Sequence, residues 1–269
     1  MLRKYIYKIF RFWMLLTAKF RKMPDFIIVG VQKGGTTSLF KDLENHKSIK
    51  FNNNKEIHFF DRHYSKGISW YRSWFPLKID RRLTGEATPS YIFYPNVIKR
   101  MKLYLPKVKL ILLLRNPVDR AYSHFQMEKR KFRENLSFEE AIKHERLNLS
   151  SLYVQVQENN DKHANEILIN KSYLSRGLYA DQIKILFDNY DKSRILIIES
   201  ENFKNNKLTT LNEVCDFLGI DYFKKYHLIK DQNVHSYPQI SKKTKELLKR
   251  YYIEPNKILY KLIKTKYNW

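Results

Sequence analysis

The chain has 269 residues, 43% of them apolar and 15% aromatic, with only 7 Gly and 8 Pro, which excludes a disordered or low-complexity protein. Its 51 Lys and Arg against 27 Asp and Glu give a formal net charge of +24, a field that favours polyanions: nucleic acid, acidic polysaccharide, anionic lipid or a highly charged nucleotide. One cysteine, Cys215, permits no internal disulfide, and neither it nor the scattered histidines show metal-ligand spacing, so no metal is expected.

Residues 1–23 carry seven basic side chains and no acid, with Ile6, Phe10, Trp13 and Leu16 at helical spacing. The uncharged run there is shorter than the roughly 20 residues a membrane span needs. Two readings fit: a basic amphipathic helix on an anionic membrane surface, or a helix packed on the rest of the chain. Phe26–Val29 reads as a strand buried on both faces. Gly30, Gly34 and Gly35 follow as a tight turn, and Thr36, Thr37 and Ser38 suit the cap and first turn of a helix. Strand, glycine loop and helix start together make an anion site; the plain alternative is a glycine-rich turn with a solvated lysine. Nucleoside-triphosphate loops place lysine after the last glycine, in the pattern G-x-x-x-x-G-K-[ST]. Here Thr36 occupies that place and the cation is Lys33, three positions earlier, nearer the 5′ end of a bound nucleotide.

Glu56 and His58 lie two residues apart beside Ile57, Phe59 and Phe60. On an extended segment they point the same way, and shielding by these neighbours would raise the carboxylate's pKa and suit it to accept a proton. The alternative is a surface carboxylate beside a core histidine. Val108–Leu114 is a second buried strand, and Pro117 starts the helix after it. Arg115 at the strand end can grip a phosphate bidentately, and Ser123, two turns along, offers a hydroxyl; an ordinary Arg-Asn-Pro cap would look the same. A helix over 180–190, a third buried strand over 194–199 and a helix over 208–218 stopping at Gly219 complete an α/β pattern, with Cys215 as core. Residues 242–262 read as a basic helix pair turning at Glu254-Pro-Asn-Lys257.

Gly30-Val-Gln-Lys-Gly-Gly-Thr-Thr-Ser-Leu39 resembles the 5′-phosphosulfate loop of sulfotransferases that use 3′-phosphoadenosine 5′-phosphosulfate, most closely the heparan sulfate glucosaminyl (N- and 3-O-) enzymes. Glu-Ile-His-Phe-Phe-Asp61, Gly85-Glu-Ala-Thr-Pro-Ser-Tyr91, Arg115 to Ser123 and Glu254-Pro-Asn-Lys257 resemble further blocks in the same order, from about Pro24 to the C-terminus. The fold this implies is a single P-loop-like α/β domain over 24–269, with a central parallel β-sheet flanked by helices, after an N-terminal segment over 1–23.

The resemblance also implies roles. Glu56 maps onto the catalytic base and His58 onto its accompanying histidine. Lys33, Gly34, Gly35, Thr36, Thr37 and Ser38 fall on the phosphosulfate loop, and Arg115 and Ser123 on the 3′-phosphate site. Tyr179, with Arg176, falls in an adenosine segment, and Asn233 and His235 in a loop over the nucleotide. Two departures stand out: Ala87 replaces an active-site lysine, and Asn233-Val234-His235 replaces Lys-Gly-Arg. The implied reaction is metal-free in-line sulfuryl transfer to a hydroxyl or amine of a glycan or glycolipid, leaving adenosine 3′,5′-bisphosphate. No nucleic-acid partner is expected. Without a span or disulfides, a cytoplasmic location is expected, at most peripheral on a membrane's inner face. A P-loop small-molecule kinase and a non-catalytic polyanion- or membrane-binding module are the alternatives.

Overall fold

The computed structural model describes residues 2–52, 55–159, 162–223 and 236–269. In chain order the elements are α1 (Leu2–Leu16), β1 (Phe26–Gly30), α2 (Thr36–Glu44), β2 (Ile49–Phe51), α3 (Phe59–Arg62), α4 (Gly67–Arg72), β3 (Leu83–Ala87) and α5 (Pro95–Tyr104). There follow β4 (Lys109–Leu114), α6 (Pro117–Arg130), α7 (Phe138–Asn159), α8 (Lys162–Lys171), α9 (Tyr179–Asn189), β5 (Ile195–Glu199), α10 (Ser200–Asn205), α11 (Lys207–Leu218) and α12 (Lys242–Ile263). The described residues form two compact units. One draws on 1–31, 35–114 and Ile185–Gln232, the other on 32–34, 115–184 and 233–269.

The first unit holds the whole sheet, five parallel strands in the order β2-β3-β1-β4-β5. This is the expected α/β arrangement, a parallel sheet flanked by helices. β1 is central and buried at every position, pairing Phe26 with Gly85 on one side and Lys109 on the other. The chain leaves β1 towards β2 and β3, and later builds β4 and β5 on the opposite side. The carboxyl end of β1 is therefore a topological switch point, where sheets of this kind leave a crevice for ligands. Leu39 and Leu43 of α2, Val214 and Leu218 of α11, and Ile28, Ile111 and Leu113 of the sheet share one core. Cys215 is fully buried beside them, and burial pushes its thiol up to about 11, consistent with a packing residue.

Two strands have no counterpart in the sequence reading. β2 is only three residues long, and β3 contains Thr84, Gly85 and Glu86, which interrupt any apolar run. Thr84 and Glu86 are nonetheless fully buried. Gly85 is required there: a Cβ would run into the rings of Phe26 and Phe51, which meet edge to face at 5.5 Å.

The second unit is helical. Val118 and Phe125 of α6, Phe138 and Ile142 of α7, and Leu248 and Tyr252 of α12 pack around Tyr173. The expected helix pair is instead one continuous helix, with Pro255 inside it. Its buried residues Thr244, Leu248, Tyr252 and Leu259 recur on one face across the proline, and the Tyr252 hydroxyl donates to the Leu174 carbonyl at 2.7 Å. Anchorage on both sides outweighs the one backbone bond that proline removes. No helix among the described residues is long and apolar enough to cross a membrane.

Candidate active site

The loop leaving β1 turns through two left-handed residues, Lys33 at φ 71° and Gly35 at φ 93°. Gly35 itself is the N-cap of α2, and no side chain caps the helix. The expected capping hydroxyls lie one step later: Thr36, Thr37 and Ser38 are the first turn. α2 has no acidic residue in that turn, so the positive end of its dipole is left for an anion. The Thr37 hydroxyl accepts from the Lys55 ammonium at 2.5 Å.

Glu56 and His58 come together, though not as expected. The segment is a turn rather than a strand, with Glu56 at φ 65° and His58 at φ 53°. Left-handed backbone at a non-glycine residue costs roughly 1–3 kcal/mol and gathers at functional sites. Lys33, Glu56 and His58 are three of the five such residues among those described, and all three are assigned to catalysis by the family resemblance. The Glu56 amide donates to the Ala87 carbonyl at 2.9 Å, tying this turn to the end of β3. His58 Nε2 lies 3.4 Å from Glu56 Oε2, and His58 Nδ1 lies 2.8 Å from Asp61 Oδ2. Ser90 Oγ donates to the same Asp61 oxygen at 2.7 Å, and Lys55 Nζ is 3.3 Å from Glu56 Oε1.

These neighbours reverse the expected titration of Glu56. Burial pushes its carboxyl up, but the His58 hydrogen bond, the charges of Lys55 and His58, and the Lys55 hydrogen bond bring it down to about 2. Its side chain is 41% exposed, so shielding by Ile57, Phe59 and Phe60 is weaker than the sequence implied. His58 moves the other way. Burial lowers it, yet hydrogen bonds to Asp61 and Glu56 and the Asp61 charge raise it to about 9. At neutral pH the pair is a carboxylate held against an imidazolium, the split environment expected of acid–base partners.

A buried frame holds this turn. Glu86 of β3 is fully buried, and the hydroxyls of Tyr71, Thr88 and Tyr91 donate to it. Tyr91 in turn accepts the Phe59 amide at 2.9 Å, next to His58. Burial pushes the Glu86 carboxyl up to about 7, against the three hydroxyl hydrogen bonds.

In the second unit, Arg115 Nη1 donates to the Lys33 carbonyl at 3.1 Å, and the Tyr179 hydroxyl donates to the Arg115 carbonyl at 2.8 Å. Tyr179 is almost wholly buried and fixes the Arg115 backbone, and Arg176 is buried as well. Asn116 caps α6 by accepting from the Val118 amide at 3.0 Å, Pro117 opens the helix, and Ser123 is buried along it. Burial and the charges of Arg130, Arg115, Lys131 and Arg120 lower the Lys33 ammonium to about 8. The charges that act most strongly on Lys33 are all cationic. Arg120 is fully buried, with Nη2 on the Tyr173 carbonyl and no partner for Nε or Nη1 among the described residues. A polyanion would relieve this crowding, so the residues fit a phosphorylated nucleotide. Asn233 and His235 lie outside the described residues.

The turn and the loop thus gather Glu56 with His58, and Lys33 with Arg115. Sequence reasoning missed Lys55, Asp61, Ser90, Glu86 and Tyr91. Asp61, one helical turn after His58, was the most legible of these; Glu86 gave no signal, because a polar residue in a short strand looks like a loop.

The sulfotransferase domain family matches residues 23–250. The membrane-associated sulfotransferase kil1 of Dictyostelium discoideum is 27% identical over 92% of this chain and 66% of its own length. Human heparan sulfate glucosamine 3-O-sulfotransferase 6 is 31% identical over 74% of this chain and 53% of its own. The chain therefore spans about two thirds or less of the length of these relatives. The crystal structure of a sulfotransferase from Alicyclobacillus acidocaldarius superposes with a TM-score of 0.73 at 26% identity, covering 91% of this chain and 98% of that one. The loop after β1, with its lysine displaced from the kinase position, thus sits in a P-loop-like fold of known kind, and the chain belongs to the sulfotransferase domain family.

Proposed function

We propose that this chain transfers a sulfuryl group from 3′-phosphoadenosine 5′-phosphosulfate to a hydroxyl or amine of a glycan, free or lipid-linked. The observation that carries the reading is the Glu56–His58 pair, a carboxylate against an imidazolium braced by Asp61 and Ser90. Glu56 takes the proton of the acceptor as the new O–S or N–S bond forms, while the bond between sulfur and the bridging phosphate oxygen breaks. His58 holds Glu56 in place and keeps it ionised. A carboxyl at about 2 is a weak base, and a polyanionic donor beside it raises its proton affinity towards the useful range. Lys33 and the amides at the start of α2 stabilise charge gathering on the departing phosphate oxygen. Arg115 and Ser123 hold the 3′-phosphate, and the product is adenosine 3′,5′-bisphosphate.

The glycan acceptor is supported by the likeness to heparan sulfate enzymes and by a net charge of +24 that suits an acidic polysaccharide. Ala87, almost fully buried in β3, supplies no cation where those enzymes resemble one another, so the acceptor is gripped differently at that point. Calorimetry with adenosine 3′,5′-bisphosphate and with ADP, both without magnesium, tests the donor half. Preference for the 3′-phosphate compound, reduced in Arg115→Ala, is expected. Equal affinity for both nucleotides in a folded protein would overturn the reading.

A further inference from the structure

α1 is amphipathic, but its polarity with respect to the rest of its unit is inverted. An ordinary surface helix turns its apolar stripe inward. Here the inward face is Arg11 and Met14, continued by Ala18 just past the helix: the Arg11 guanidinium lies 3.6 Å from the centre of the Trp74 ring and donates to Ser73 Oγ at 3.0 Å, while Met14 and Ala18 are buried. The stripe Ile6, Ile9, Phe10, Trp13 and Leu16, at intervals of three and four residues, faces solvent, with each residue 53–61% exposed, and Tyr5, Phe12 and Leu15 broaden it.

The helix is held in that orientation. Arg21, just past it, donates from Nη1 to the Phe75 carbonyl at 2.8 Å and from Nε to Thr17 Oγ1 at 2.9 Å. Backbone bonds join Lys22 to Pro76 and Lys78 to Phe20, and Arg21 bridges Leu77 antiparallel. Phe20 and Ile79, in the connection that holds the helix, are exposed as well. So many large apolar side chains exposed on one short helix mark an interaction site rather than scattered exposure.

The charge identifies the occupant. Residues 1–23 contain seven Lys and Arg and no acid, of which Arg11, Arg21 and Lys22 already bond within the chain. A second copy docked through the same patch would set these charges against their equals in a two-fold interface. An anionic lipid surface instead offers headgroups to the cations and an acyl boundary to the apolar side chains. Trp13 and Phe10 suit that boundary, where aromatic rings are favoured. We propose that the solvent-facing stripe of α1 docks this chain on the surface of an anionic lipid bilayer, with the helix lying in the plane of the interface. Lipid docking and sulfuryl transfer are separable, since the stripe shares no residue with the Glu56 turn or the Lys33–Arg115 cluster.

The test is co-sedimentation of the full chain with phosphatidylcholine vesicles, with and without phosphatidylserine. The wild type and the double variant Ile9→Glu/Trp13→Glu are compared; both positions are exposed, and circular dichroism checks that the variant folds. The expected result is binding to the phosphatidylserine vesicles, weakened by salt, much weaker on pure phosphatidylcholine, and reduced at least tenfold in the variant. Adenosine 3′,5′-bisphosphate affinity in solution should stay unchanged. The proposal is overturned if the wild type does not sediment with anionic vesicles, if the folded variant binds them equally well, or if the wild type instead forms a concentration-dependent dimer that the variant abolishes.

Discussion

The Glu56 turn and the Lys33–Arg115 cluster handle concentrated charge in opposite ways. Around Glu56 each charge meets an opposite one within hydrogen-bonding or ion-pair range: Lys55 and His58 against the carboxylate, Asp61 against the imidazole. Around Lys33 burial and the strongest neighbouring charges, all cationic, act together, and the ammonium loses affinity for its proton. The balanced turn satisfies its charges internally, which suits the proposed acid–base role. The unbalanced cluster stores repulsion that a bound polyanion releases, so binding there is worth more than contacts alone suggest.

The comparison breaks most severely at Glu56. Glu56→Gln keeps the shape and removes the base, and should lower kcat about 10²–10⁴-fold with little change in donor KM, read by steady-state kinetics. An unchanged kcat would remove Glu56 from the chemistry.

The titration of His58 gives the next effect. Its folded pKa of about 9 stands above the ordinary 6.5, so its contribution to stability is fully present below 6.5 and is lost as pH rises through 9. Urea unfolding should show a loss on the order of a few kcal/mol across that window. Asp61→Asn should flatten the dependence, because the largest raising influence on His58 is gone. A wild-type profile flat between these values would refute the imidazolium assignment.

Arg115→Ala should weaken adenosine 3′,5′-bisphosphate by about 10–100-fold, the value of a charged hydrogen bond, while leaving the His58 titration intact. That independence sharpens the contrast between the regions, and calorimetry with NMR of the imidazole reads both.

The smallest effect belongs to the frame. Tyr91→Phe removes the acceptor of the Phe59 amide and a donor to Glu86, and should cost about 1–3 kcal/mol in chemical denaturation. kcat should fall with it as the turn loosens, and a full stability loss with unchanged kcat would leave Tyr91 a packing residue only.

Much of this was legible in advance where local chemistry decides the outcome. Phe26–Val29 and Val108–Leu114 are apolar on both faces because a covered parallel sheet demands it, and they appear as β1 and β4. Gly219 ends α11 in the left-handed region, at φ 77°, as a helix stop should. Pro117 opens α6 because a first-turn residue needs no amide partner. The errors share a cause as well. Pro255 looked like a turn, but packing at Leu248, Tyr252 and Leu259 carries the helix through it. β3 has no apolar run to announce it, and its buried carboxylate, Glu86, is satisfied by hydroxyls from outside the strand, such as Tyr71.

The sequence by itself determined the glycine loop with Lys33 in place of a kinase lysine, the main buried strands, the basic and aromatic N-terminus and the blocks that bind this chain to its family. These follow from residue type and spacing, which need no partner. Only the tertiary structure decided that the Glu56 carboxyl is held low rather than raised, that the His58 imidazole is raised, that Asp61 and Ser90 brace it, and that the apolar stripe of α1 faces outward. Those properties depend on which charges and surfaces meet across long stretches of chain, and electrostatic energies change with distance and burial that the linear sequence does not contain.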